Sequence, residues 1–367
     1  MTGMIWAVQD YTKTFDQVRG ALLGGAIGDA LGWPIEFLQL DMIRAGHGPD
    51  GMTDFLRGPD PDAPQQITDD TQMTLFTAEG LLRLSPGIDP APVLGRAYLR
   101  WLRTQREHAP SPMPDGWLSS HQFLYARRSP GQACMTGLGL QEKQYTEPAP
   151  LGVPGPINPD SKGCGTVMRS APFGLARFGP DLAFLMSARC AQLTHGHPTG
   201  YLAAGAFSAL IDRILGGVDL RNAVHQTLAQ LTGGPGAEET VQAIQRALRT
   251  ADEGDPTPER VEQVGAGWIA EECLAIAVYC ALAAERTGDL RAALLLSVNH
   301  SGDSDSTGAV AGNLIGAVHG LSALPMAWAG RVEGRDELIQ VADDLVMNFH
   351  VGDRGTLGSR YPLDATV

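Results

Sequence analysis

Glycine recurs at every fourth residue in two distant stretches of this chain: Gly20, Gly24, Gly28 and Gly32 near the start, and Gly308, Gly312, Gly316 and Gly320 near the end. The surrounding apolar residues recur at three- and four-residue spacing, so both stretches read as helices. A glycine inside a helix costs about 0.5–1 kcal/mol relative to alanine, and eight of them in register need a reason. Residues four apart share one helix face. Each stripe is therefore a smooth strip against which another backbone can pack closely.

The same periodicity runs through almost the whole chain, and alternating runs of β-branched residues are nearly absent. The expected fold is all-α, with helices over residues 16–30, 71–84, 91–106, 167–177, 182–193, 199–215, 220–231, 237–250, 268–285, 290–298, 306–319 and 336–348. The apolar run 268–284 is interrupted by Glu271 and Glu272 and falls short of the ~20 residues that a bilayer span requires, so it reads as a buried central helix. Pro- and Gly-rich segments at 46–64, 147–159 and 233–236 are too short for interdomain linkers, and no repeat or low-complexity tract appears. With 367 residues, 43% of them apolar, the chain is expected to form one domain over 1–367, with a monomer favoured.

A formal net charge of −14 disfavours binding to the nucleic-acid backbone or to an anionic membrane. The five cysteines, Cys134, Cys164, Cys190, Cys273 and Cys280, form no CxxC pair and no disulfide framework. Residues 1–15 contain Asp10 and lack a basic stretch followed by an apolar one, so no secretory signal is read. A reduced, cytoplasmic protein is the expectation.

Two short acidic clusters lie about 230 residues apart, Thr68-Asp69-Asp70-Thr71 and Ser301-Gly302-Asp303-Ser304-Asp305-Ser306. Each precedes a helix-like stretch, and each alone has a plain reading as a helix cap. A fold that joined them would place four carboxylates and several hydroxyls around one small volume, where they could not remain uncompensated. Two divalent cations would neutralise the four, and an oxygen shell suits Mg²⁺, Mn²⁺ or Ca²⁺ better than Zn²⁺. Because the second glycine stripe begins right after Asp303 and Asp305, close packing there would fix that cluster in a rigid core.

Three further segments carry weaker signals. Glu36 is a lone carboxylate among apolar neighbours at the end of the first glycine helix, a setting that raises a carboxyl pKa and suits acid–base work; Asp29 reads as structural. Ser161-Lys162-Gly163-Cys164-Gly165-Thr166-Val167-Met168-Arg169 is a glycine-bearing turn entering a helix, able to hold an anion on exposed amides or to serve simply as a helix entry. It lacks the order of a P-loop. In Thr194-His195-Gly196-His197-Pro198 the two histidines lie two apart with no third ligand near, which argues against zinc and leaves His195 as a hydrogen-bonding or structural histidine.

In this order, the segments 20–37, 68–71, 162–172, 194–206 and 301–316 resemble the ADP-ribosylglycohydrolase family, with the resemblance spanning about residues 18–320. That resemblance implies a compact, orthogonally packed all-α domain with a binuclear Mg²⁺ or Mn²⁺ centre. Carried over by position, the metal ligands would be Thr68, Asp69, Asp70, Asp303, Asp305 and Ser306, the last standing where threonine is common. Glu36 would lie on a mobile acidic loop, Gly163, Cys164 and Gly165 would form the substrate-phosphate turn, and His195 would line the ADP-ribose cleft. Asp115 is the nearest candidate for a second acid. The implied activity is hydrolysis of the bond between ADP-ribose and an acceptor, a protein side chain or a small molecule, with Glu36, Asp70 and Asp303 in catalytic roles. The rival readings are a protein that binds ADP-ribose without cleaving it and a metal-dependent phosphohydrolase that attacks the pyrophosphate.

Overall fold

The computed structural model describes residues 10–364 apart from residues 57, 59, 61 and 62. Most of the N-terminal stretch in which no secretory signal is read lies outside the described residues. The elements in chain order are α1 (Thr12–Gly32), α2 (Leu40–His47), α3 (Asp69–Leu82), α4 (Pro90–Thr104), α5 (Gln132–Lys143), α6 (Ala171–Leu175), α7 (Pro180–Ala191), α8 (Pro198–Leu215) and α9 (Leu220–Leu231). They continue with α10 (Glu238–Asp252), α11 (Pro258–Val264), α12 (Ala270–Thr287), α13 (Leu290–Val298), α14 (Ser304–His319), α15 (Met326–Ala329), α16 (Arg335–Val346) and α17 (Leu357–Arg360). Among the described residues there is no strand, only two isolated bridges, so the fold is all-α. None of these helices is long and apolar enough to cross a membrane.

The two glycine stripes pack on each other. A Cβ built on Gly24 would strike the Gly312 carbonyl, one on Gly28 the Gly308 carbonyl, one on Gly20 the Gly316 carbonyl and one on Gly32 the backbone of Ser304. Ascending positions on α1 therefore meet descending positions on α14, and the helices run antiparallel with their backbones in contact over four turns. Polar side chains tie the same seam: Asn313 Nδ2 donates to Ala21 O at 2.8 Å, and Gln17 Nε2 donates to Ala317 O at 2.7 Å. Gly320 departs from the expected pattern. It stands past the end of α14 with φ 80°, where the absence of a Cβ serves the turn as well as the contact with Gly20.

The apolar run forms α12, buried along most of its length against α8, α10 and α14. It begins at Ala270 rather than 268 because Gly267 turns the chain at φ 84° and Ile269 bridges to Gly163. The helix expected over 167–177 does not form. A 3-10 turn, Cys164–Thr166, is followed by the five-residue α6, whose Pro172 supplies no amide hydrogen and so favours a fresh helix start. The short or polar helices α2, α5, α11, α15 and α17 were not expected from periodicity.

The seam also positions the ends that matter. Asp29, in the last turn of α1 and fully buried, accepts hydrogen bonds from Thr68 N at 3.0 Å, Thr71 N at 3.2 Å and Thr71 Oγ1 at 2.5 Å. One carboxylate thus fixes the entry to α3 relative to α1. The close approach of Gly32 to Ser304 fixes the first turn of α14 at the same end of α1.

Candidate functional site

Both acidic clusters cap helices. Thr68 is the extended N-cap residue of α3, and its Oγ1 accepts from Asp70 N at 3.3 Å. Asp303 caps α14, accepting from Ser306 N at 3.3 Å, and Asp305 Oδ1 accepts from the same amide at 2.9 Å. Asp69 Oδ2 accepts from Gly131 N at 3.1 Å. Capping does not exhaust these groups, because Asp70 Oδ1 is buried without a hydrogen-bond partner among the described residues. Thr68, Asp69, Asp70, Asp303, Asp305 and Ser306 are all buried.

The structure brings the two clusters to one cavity of about 290 Å³. Asp69, Asp70, Asp303, Asp305, Ser306 and Glu36 line it together with Gly163, Cys164, Gly165 and His195. No Lys or Arg is among the lining residues. Thr68 is not among them either; its hydroxyl, 3.3 Å from Asp70 Oδ2, orients that carboxylate instead. Asp115 lies outside the cavity, half-exposed and 3.8 Å from Arg83 Nη1, so the expectation of a second acid at this position finds no place in the site.

Burial pushes the carboxyl pKa values of Asp69, Asp70 and Asp305 well above the ordinary range, and the charges of neighbouring aspartates add to it. Burial likewise raises Asp29 to about 6 against the hydrogen bonds from Thr71 and Thr68. Glu36 is pushed up to about 7, first by burial and then by Asp303 and Asp29, while a hydrogen bond with Ser129 works the other way.

Glu36 follows the 3-10 turn Trp33–Ile35. One carboxylate oxygen from each of Glu36, Asp303 and Asp305 lies within 4.8 Å of the others, so the lone acid joins the donor cluster as well as having an acid–base pKa. The next residue, Phe37, sits at φ 67° and is 66% exposed; its ring stacks on Trp268 at 5.1 Å between centroids. Neither aromatic was singled out in the sequence, where an exposed ring leaves no periodic signal.

In the glycine-bearing turn, Cys164 N donates to Trp268 O at 3.1 Å. That amide is committed to the fold, and the residue presents its thiol to the cavity: Cys164 Sγ donates to Asp303 Oδ2 at 2.8 Å. The helix dipole expected behind the turn is small, since a three-residue 3-10 turn and a five-residue helix replace the long helix. His195 is buried, with Nδ1 2.7 Å from Thr194 Oγ1. Burial, aided by the nearby Arg169 cation, lowers its pKa to about 3, so the ring is neutral near pH 7. His197 is the N-cap of α8, its Nδ1 accepting from Thr199 N at 3.2 Å, which accounts for the second histidine without a metal.

Arg169 is a charge that no local sequence pattern marks. It is buried, its Nη2 donates to Thr194 Oγ1 at 2.7 Å, its Cζ lies 4.5 Å from the Tyr98 ring centroid, and no carboxylate pairs with it among the described residues. The loop 129–131 ahead of α5, which supplies Ser129 and Gly131 to the site, carries no readable pattern beyond a turn.

Residues 10–354 match the model of a family described as ADP-ribosylglycohydrolase. The chain is 25% identical over 348 residues to the ADP-ribosylarginine hydrolase Tri1 of Pseudomonas putida, covering 91% of this chain and 78% of that protein. It is 26% identical over 327 residues to the ADP-ribosyl-(dinitrogen reductase) glycohydrolase of Rhodospirillum rubrum, covering 88% and 92%. With the ADP-ribosylhydrolase ARH3 of Danio rerio the identity is 26% over 358 residues, covering 90% and 89%. A solved structure of an ADP-ribosylglycohydrolase-related protein complex superposes with a TM-score of 0.60 at 25% identity, covering 91% of this chain and 98% of that one.

Proposed function

The chain belongs to the ADP-ribosylglycohydrolase family, and from that premise we propose that it hydrolyses the bond between the anomeric carbon of ADP-ribose and a linked acceptor, using two divalent cations, Mg²⁺ or Mn²⁺. The observation that carries this reading is the meeting of Asp69, Asp70, Asp303 and Asp305 in one cavity, with Asp70 Oδ1 left unpartnered.

The donor set fits hard cations: carboxylate and hydroxyl oxygens, crowded enough to raise their own pKa values, with no lining cation to offset them. Asp69, Asp70, Asp303, Asp305 and Ser306 would hold the ions, with Glu36 within reach of two of these carboxylates. When bound, the cations would supply positive charge that offsets the carboxylates and polarises substrate oxygens.

The remaining steps belong to the protein's own groups. Cleavage passes through an oxocarbenium-like state, whose positive charge the carboxylates of Asp70 and Asp303 stabilise. Water adds its hydroxyl to the anomeric carbon, and its proton balances the departing acceptor. Glu36 faces the cavity beside Asp303 and Asp305, where its carboxyl group can take the proton from water or give it to the leaving group. Gly163 and Gly165 let the turn pack against His195, where a Cβ on either would crowd the ring, so that the backbone of the turn and the neutral His195 line the cavity for the pyrophosphate without adding charge.

The test is a panel of arginine-linked, serine-linked and small-molecule ADP-ribose derivatives, assayed with Mg²⁺, with Mn²⁺ and after chelation. Release of ADP-ribose that stops on chelation and returns with metal is the expected result. Asp70→Ala and Asp303→Ala should each abolish it while the helical circular dichroism persists. AMP as the product would identify a phosphohydrolase, ADP-ribose binding without product a binder, and full activity in metal-stripped protein would end the binuclear reading.

A further inference from the structure

Of the five cysteines, Cys164 alone is only partly buried, and it lines the acidic cavity. Its thiol donates to Asp303 Oδ2 at 2.8 Å, and its sulfur lies 3.5 Å from Ser306 Oγ. Both oxygens belong to residues assigned above to cation binding. An oxygen and a sulfur held by one ion at about 2.1 and about 2.3 Å, near right or tetrahedral angles, stand about 3.1–3.6 Å from each other. Cys164 is already close to that spacing.

Its position is fixed by the fold. The amide of Cys164 donates to Trp268 O, and the adjoining Gly163 bridges to Ile269 at the head of α12. The incoming side of the turn is thus held by backbone contacts with the segment leading into α12, not by the acids, and from there the thiol faces Asp303. A second observation points to a ligand in the same cavity: Asp70 is 2% exposed, and its Oδ1 has no partner.

Resting on the reading that the cavity holds divalent cations, we propose that Cys164 Sγ is a donor to the cation bound at Asp303 and Ser306, making this a mixed oxygen–sulfur centre that favours sulfur-seeking divalent ions. Oxygen donors alone suit Mg²⁺, whereas one thiolate shifts selectivity toward softer ions. When the sulfur lone pair bonds to the cation, the S–H bond breaks heterolytically and its proton leaves to buffer; no oxidation state changes. Mg²⁺ would rest on the oxygens, and Co²⁺ or Cd²⁺ would draw on the sulfur too.

The experiment uses the full chain freed of metal and titrated with Co²⁺, Cd²⁺ and Mg²⁺, with absorbance and calorimetry as readouts. Wild type is expected to show a sulfur-to-metal charge-transfer band in the near ultraviolet with Co²⁺ and Cd²⁺. Cys164→Ser and Cys164→Ala should lose the band and bind Cd²⁺ on the order of tenfold more weakly, while Mg²⁺ affinity stays within about threefold. Since the other four cysteines remain in both variants, loss of the band assigns it to Cys164. If the wild type binds Co²⁺ and Cd²⁺ without the band, or both variants keep the band and the Cd²⁺ affinity, the sulfur donor is refuted while Mg²⁺ binding leaves the cation centre standing. If the wild type binds none of the three ions, the proposal and the cation centre fall together.

Discussion

Replacing Gly312 by alanine tests the seam between α1 and α14 directly. A Cβ at Gly312 would fall well inside 3.0 Å of the Gly24 carbonyl oxygen, where ordinary contact begins near 3.4 Å. The obstacle is backbone in the middle of a helix, so no rotamer can relieve it and the two helices must part by about 1 Å or more. Adding a methylene to a packed core costs about 1–3 kcal/mol when side chains can yield; here they cannot. A radial gap of about 0.5–1 Å also forfeits a quarter to a half of each contact's dispersion energy, and this seam runs over four turns. Against a loss of at least ~3 kcal/mol, alanine returns about 0.5–1 kcal/mol of helix propensity, leaving a net destabilisation of at least ~2 kcal/mol. Gly46 is the control: it lies in α2, is exposed, and a Cβ there meets nothing within 4 Å. Gly46→Ala should stabilise by about 0.4–1 kcal/mol. Urea unfolding followed by far-ultraviolet circular dichroism reads both. A Gly312→Ala protein as stable as wild type would refute the backbone contact and with it the purpose assigned to the stripes.

Three further outcomes follow from the site. Glu36→Gln should lower kcat by at least ~10², the range for a lost general acid or base, with free ADP-ribose binding changed much less; wild-type turnover would remove Glu36 from the chemistry. Gly165→Val should weaken ADP-ribose binding at least tenfold, ~1.4 kcal/mol, because a Cβ there already lies 2.8 Å from Cys134 Sγ and 3.1 Å from His195 Cε1 and must displace the His195 ring that lines the cavity; calorimetry on the folded variant decides. His195, buried with its pKa lowered to about 3, resists a proton that the unfolded chain accepts near 6.5, so its contribution is intact above that pH and is lost as pH falls toward 3. Between pH 7.5 and 5 this amounts to ~2 kcal/mol, and His195→Gln should lose about that much less than wild type over the same interval in urea midpoints. Parallel pH dependence in the two proteins would count against a buried neutral ring.

The long helices were legible because a core face repeats every three to four residues: 220–231 and 290–298 match the observed α9 and α13 residue for residue. The missed helices had short or polar faces, as in α2 and α11, where seven or eight residues give too few repeats to read. Helix 167–177 failed because periodicity does not register that Pro172 interrupts the amide ladder. At the site, the acids were readable as clusters with helix-cap spacing, and the structure shows them capping and converging at once. The sequence marks Cys164 by its turn and not by its thiol, since which atom of a loop residue faces a cavity depends on tertiary contacts such as that with Trp268 O. Asp29 was read as structural, and its hydrogen bonds to Thr68 and Thr71 give that role a target no local pattern could name.

The seam and the acids are connected through charge. The N-termini of α3 and α14 point toward one cavity, and each carries roughly half a positive charge from its unpaired amides. Together they offset about one of the five carboxylates of Asp69, Asp70, Asp303, Asp305 and Glu36 that line it. No lysine or arginine lines the cavity, and Arg169 is engaged with Thr194 and Cys134 behind the turn. Repulsion among the remaining charges would spread the helix ends if the ends could move. The contact of Gly32 with Ser304 holds α14 and cannot lengthen without opening the α1–α14 interface, while the hydrogen bonds from Thr68 and Thr71 to Asp29 hold the entry to α3 against α1. Proton uptake, which the raised pKa values of Asp69, Asp70 and Asp305 favour, relieves the charge but leaves Asp70 Oδ1 without a partner. A divalent cation bound there would answer both demands, and glycine's cost in helix propensity goes into holding these carboxylates close together.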